Sequence, residues 1–71
     1  MKTFYCVMSE FYDNGMVKAC ILYGNHKEKP ENSFKRTPIA DCYKDWFYTE
    51  AAAKMALTEI RRLAEKARVT A

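Results

Sequence analysis

The tripeptide Asp13-Asn14-Gly15 lies between two runs rich in aromatic and aliphatic residues, and it restricts the fold more than any other feature of the chain. Asn and Gly tolerate the positive φ that a tight hairpin turn demands, so the chain is expected to double back here as an antiparallel pair. The first strand is expected over about 2–12 and the second over about 16–23. In a two-residue Asn14-Gly15 loop, Asp13 opposes Met16 and Tyr12 opposes Val17. Phe4, Cys6, Met8, Tyr12, Val17, Ala19, Ile21 and Tyr23 then share one face, and Tyr5, Val7, Phe11, Met16, Cys20 and Leu22 the other. A three-residue loop with a bulge would shift the pairing by one and regroup the second strand; the two-residue register is preferred. In both registers both faces are largely apolar, unlike the alternation of a sheet covered on one side only.

Residues 24–38 are polar, charged and contain Pro30, which predicts an exposed loop, with Ser33 to Thr37 offering an optional short strand. Pro38 restricts Thr37 to extended geometry. A third strand follows over 39–48, with Ala40, Cys42 and Trp46 on one side and Tyr43 and Phe47 on the other. Thr49 is placed to cap a helix over 49–68, and Glu50 suits the positive end of its dipole. Ala52, Ala53, Ala56, Ile60, Leu63 and Ala67 form an apolar stripe at helical spacing, widened by Leu57 and Ala64. Lys54, Arg61, Glu65 and Arg68 lie opposite. The expected fold is α+β: a three-stranded antiparallel meander (β-β-β-α) with one C-terminal helix packed on one face, as a single small domain over 1–71. A chain this short buries only about 60% of its unfolded surface. One helix covers one face, so the other stays wet, is covered by the 24–38 loop, or meets a partner.

Chemistry is sparse. His26 is the only histidine and sits in the polar segment, where a solvated side chain is expected. Asp41 and Asp45 share a strand face about 13 Å apart at ordinary strand rise, too far to share a proton; pairing with nearby Lys or Arg is the expected role. No nucleophile elbow, phosphate-cradling loop or HExxH is present, so the chain reads as no enzyme, with no cofactor and no small-molecule substrate. Cys6, Cys20, Cys42 and His26 match the ligand count of a Cys₃His zinc site but not its spacing. In the preferred register Cys6 and Cys20 also point to opposite faces, so three buried thiols and no metal are expected. An odd cysteine count without a secretory leader suggests a reduced, cytoplasmic protein, and no apolar run is long enough to cross a membrane.

The net charge of +3 is concentrated in two places. Lys27, Lys29, Lys35 and Arg36 lie in the loop region, and Arg61, Arg62, Lys66 and Arg68 in the helix; together they are the candidate nucleic-acid-binding residues. The competing reading is a solvated helix face, supported by the Glu50–Lys54 pair. The Tyr43, Trp46, Phe47 and Tyr48 cluster is either a stacking platform for bases or, the preferred reading, a strand-to-helix corner where Trp46 and Phe47 anchor the core and the Tyr hydroxyls reach water.

The run Trp46-Phe47-Tyr48-Thr49-Glu50-Ala51-Ala52-Ala53-Lys54-Met55-Ala56-Leu57-Thr58-Glu59 resembles the "F-x-T-x-x-x-A…A-L-x-E" junction of the N-terminal arm-binding domains of phage and transposon integrases, which AP2 domains share in fold. The likeness implies a three-stranded sheet followed by a helix, and a sheet that reads DNA in the major groove. No DNA-contacting residue carries over, since the first two strands supply only Lys2 and Lys18. The leading expectation is a non-catalytic protein-interaction module, such as an accessory or inhibitor protein of a phage or mobile element. Tyr5, Val7, Phe11, Cys20 and Leu22 would form its contact face, for a protein partner or a second copy in a homodimer. The alternative is a nucleic-acid-binding module using the basic loop and helix.

Overall fold

A computed structural model of the chain describes residues 1–70, with side-chain surroundings through residue 65. Strands β1 (Lys2–Tyr12), β2 (Val17–His26), β3 (Ser33–Arg36) and β4 (Ala40–Phe47) precede one helix, α1 (Glu50–Thr70). The strands form one antiparallel sheet in the order β2-β1-β4-β3. The α+β class and the C-terminal helix match expectation; the three-stranded meander does not. Segment 24–38, expected as an exposed loop with an optional strand over Ser33 to Thr37, supplies the end of β2 and, where that option lay, all of β3. The central strand is β1, with β4 docked beside it as two hairpins joined edge to edge. Burial explains this order: Phe4, Cys6, Val7 and Ser9 are at most 3% exposed, so β1 carries the residues a central strand needs. β2 carries Lys18 and the exposed Leu22 and Tyr23, which suit an edge.

The hairpin corrects the preferred register. The Tyr12 N–H donates to the Met16 carbonyl at 2.8 Å and the Gly15 N–H to the Tyr12 carbonyl at 3.0 Å. The loop is therefore the three residues Asp13-Asn14-Gly15, and Phe11, not Tyr12, stands opposite Val17. Gly15 has φ of 89°, the left-handed conformation that closes a bulged three-residue loop. The Asn14 side-chain oxygen accepts from the Met16 N–H at 2.9 Å, and the Asp13 N–H donates to the Ile39 carbonyl at 2.9 Å. Gly15→Ala meets no steric obstacle, since nothing lies within 4 Å of an added Cβ. Its effect is therefore conformational, an expected loss of about 1 kcal/mol read from a urea unfolding midpoint.

The one-residue shift regroups the faces. Tyr5, Val7, Ser9 and Phe11 align with Tyr23, Ile21, Ala19 and Val17 of β2 and with Phe47, Asp45, Tyr43 and Asp41 of β4. This face lies under α1. Phe4, Cys6, Met8, Glu10 and Tyr12 align with Leu22, Cys20 and Lys18 and with Trp46, Lys44, Cys42 and Ala40 on the opposite, open face.

Thr49 caps α1 as expected, its hydroxyl accepting from the Ala52 N–H at 3.2 Å. Ala53 is fully buried and Ala56, Leu57, Ile60 and Ala64 are half-buried, which makes the inward stripe. Leu63, assigned to that stripe, is instead 55% exposed, because the turn from Ile60 to Ala64 carries it past the sheet; Ala67 lies outside the described side chains. Among the described residues the helix touches β2, β1 and β4, and not β3. Four strands about 4.8 Å apart present more width than one helix about 10 Å across can cover.

Candidate interaction surfaces

The uncovered part of the helix-side face is a groove between α1 and β3. Its cavity, about 440 Å³, is lined by Ser9, Phe11, Asp41, Tyr43, Asp45 and Ile60. Tyr43 is the hub: its ring centre lies 5.7 Å from that of Phe11, edge-on, and 4.9 Å from that of Phe34. Phe34 is 58% exposed and Ile39, between β3 and β4, is 62% exposed, so the apolar surface continues outward onto β3 at Phe34 and into the β3–β4 turn at Ile39. Two carboxylates lie among these rings. Arg36 holds one of them, donating to Asp41 at 3.0 Å and to Asp13 of the hairpin loop at 2.8 Å. The hydrogen bond from Arg36 holds the Asp13 carboxyl below the usual carboxylate range against a smaller opposing effect of desolvation. The two carboxylates in turn keep Arg36 more firmly protonated than usual. These ion pairs are solvent-exposed, so they orient the loop more than they stabilise the fold. Asp45 has no ion pair among the described residues.

The open face is built differently at its two ends. At one end Phe4 is only 3% exposed, because an aromatic cluster and the β2–β3 connection close over it. Its ring centre lies 5.7 Å from Tyr48 and 6.5 Å from His26, and His26 stands edge-on to Trp46 at 5.3 Å. Lys29 reaches over the Tyr48 ring, 5.6 Å from its centre. Asn32 pins the connection by accepting the Trp46 N–H at 2.7 Å, which satisfies β4 beyond the end of β3. Thus His26, expected in a solvated loop, is a half-buried strand residue. At the other end, Glu10 accepts from the Tyr12 hydroxyl at 3.2 Å and from the Cys42 thiol at 3.9 Å, and Lys18 lies 5.6 Å from the centre of the Tyr12 ring. Burial, then the Glu10 charge, pushes the Tyr12 hydroxyl pKa up. Lys18, Lys35 and Lys44 all belong to this face, whereas Asp41 and Asp45 belong to the other.

The five residues expected to form one contact face are divided between two. Tyr5, Val7 and Phe11 lie on the helix side, where Val7 is fully buried and the other two half-buried; Cys20 and Leu22 are exposed on the open side. The three-residue loop is the cause, since a shift of one residue sends the whole of β2 to the opposite face. The candidate nucleic-acid residues also fail to converge. Lys27 and Lys29 border a hollow with Lys2, Phe4 and Tyr48. Lys35 lies on the open face opposite Cys42, while Arg36 is tied into its carboxylate pair on the other side. Arg61 lines a cleft beside β2, and Arg62 pairs with Glu59 at 3.3 Å. The Glu50–Lys54 pair forms at 3.1 Å. Lys66 and Arg68 lie outside the described side chains.

The three thiols share the open face, which removes the register argument for keeping Cys6 and Cys20 apart. Only Cys6 is buried: Cys42 is half-buried and Cys20 exposed, correcting the expectation of three buried thiols. Burial pushes the Cys6 pKa up, partly offset by Lys44. Among the described residues no three His, Cys, Asp or Glu side chains are grouped to hold a metal ion. No described helix is long and apolar enough to cross a membrane. The groove residues Tyr43, Asp45 and Ile60, with Phe34 beside Tyr43, were not singled out together by the sequence, because they converge only when β4 lies between β1 and β3. The one local signal was Tyr43, assigned to the opposite side of its strand from Trp46. No protein-family model, curated protein or solved structure matches this chain.

Proposed function

We propose that the protein is a non-catalytic interaction module that docks an apolar, basic segment of a partner protein in the groove between α1 and β3. One observation carries this reading: a single helix reaches only as far as β4 and leaves β3 uncovered, exposing Phe34 beside Tyr43, with Asp45 free of any ion pair among the described residues. Aromatic centres with a charged rim suit protein recognition, and the carboxylates favour a partner carrying Lys or Arg. The test is an NMR titration with a basic amphipathic helical peptide built from Leu and Lys. Saturable shifts at Tyr43, Asp45 and Ile60 are expected, with affinity falling about tenfold in Phe34→Ala or Asp45→Lys, the loss of a single contact residue worth about 1.4 kcal/mol. Shifts scattered over the surface, or unchanged affinity in both variants, would sink the reading.

A second reading is favoured by the segregation of charge across the sheet. Lys18, Lys35 and Lys44 on the open face suit a phosphate backbone, with Glu10 the acidic strand residue facing them. Mixed-sequence duplex DNA added in the same titration would then shift these residues and not the groove. Binding through three phosphate contacts would also weaken with salt, at a log–log slope of about −2.7.

A further inference from the structure

The two edges of the sheet are not alike. Edge strand β3 has four residues, ends in Lys35-Arg36 and is flanked by Pro30 and Pro38, features that discourage further pairing. Edge strand β2 has ten residues, no proline and one charged residue, Lys18. The Tyr12–Met16 hydrogen bond makes that pair a hydrogen-bonded one. By the alternation of an antiparallel ladder, Lys18, Cys20, Leu22 and Gly24 then turn their backbone groups toward β1. Val17, Ala19, Ile21, Tyr23 and Asn25 turn theirs to the free edge. Beside that edge lies a cleft of about 420 Å³ between the strand and the helix flank, lined by Val17, Lys18, Ala19, Arg61, Ala64 and Glu65.

We infer that β2 pairs antiparallel with β2 of a second copy about a two-fold axis at Ile21, joining two sheets into one continuous sheet. The edge is self-complementary in this register. Ile21 exchanges backbone hydrogen bonds with its own copy, and Ala19 does so with the copy's Tyr23. The smallest side chain facing the helix side thus sits opposite the largest. Lys18 falls opposite Gly24, so no like charges oppose each other. Tyr23, 77% exposed in one chain, and Leu22, 48% exposed, are both covered by the added strand. The inference is independent of the groove reading, which concerns β3 at the far edge.

The test combines light scattering on a sizing column with amide hydrogen exchange by NMR over a concentration series. A particle of twice the 8.3 kDa chain mass is expected, with the Ala19, Ile21 and Tyr23 amides becoming more protected as concentration rises. Tyr23→Lys, and Ala19→Pro at an amide that faces away from β1, should return the protein to the mass of one chain, while Met55→Lys on the exposed side of α1 should not. A single-chain mass throughout, with those three amides exchanging freely, would overturn the inference. So would a double mass that survives both β2 variants. Should a variant fail to fold, the exchange pattern of the unaltered protein decides the matter.

Discussion

Phe4→Ala is expected to leave most of the protein unfolded at room temperature. Phe4 sits on the open side of the sheet, where a solvent-facing aromatic would be unremarkable, yet it is 3% exposed. Tyr48, His26 and the connection pinned by Asn32 close over it. Truncating a buried Phe costs about 3–5 kcal/mol, part of it from the cavity left behind. A single core in a chain of this size supplies about 3–5 kcal/mol in total, so the loss rivals the whole stability. Far-ultraviolet circular dichroism across a urea series reads this directly. A variant that kept its midpoint would mean that the aromatic cluster adds nothing to the fold. Tyr48→Ala, at a ring 70% exposed in the same cluster, should cost much less.

Ala53→Leu is expected to destabilise by about 1–3 kcal/mol, in the opposite sense to its gain in apolar surface. Ala53 is fully buried where α1 meets the sheet, and it follows a run of small residues that lets the helix axis approach closely. A longer side chain has no free volume to enter, so the helix must lift or tilt. Ala51→Leu, two residues earlier and exposed, is the matched control and should be close to neutral. Equal unfolding midpoints for the two variants would show that α1 does not rest on Ala53.

Much of this architecture was readable because local signals agreed. The Asn14-Gly15 pair marked the hairpin, the apolar runs marked β1 and β4, and Thr49 with its alanine-rich follow-on marked the start of α1. What escaped depended on non-local choices. The turn residues suit both a two-residue and a three-residue loop, and only the pairing in space separates them. A one-residue difference then moved Cys20 and Leu22 away from Tyr5, Val7 and Phe11. Sheet order escaped for a related reason: a meander would set the 39–48 strand beside β2, whereas the apolar density of β1 draws β4 to its other side. The groove followed suit, since Phe11, Tyr43 and Phe34 belong to three strands whose neighbourhood is set by that order. β3 itself is four exposed residues with little hydrophobic pattern, held by its ladder to β4 rather than by any preference of its own.

The central position of β1 also orders events in time. β1 leaves the ribosome before β2 and pairs with it almost at once, because the turn between them is short. A lone hairpin is marginal in water, and β1 gains its second neighbour only when β4 arrives, with Tyr5 meeting Phe47 across more than half the chain. Closing that distance precedes any reward from burial, so folding is governed by one late, long-range docking event. Until then the most apolar segment of the protein has one edge bare, which makes nascent chains its most aggregation-prone form.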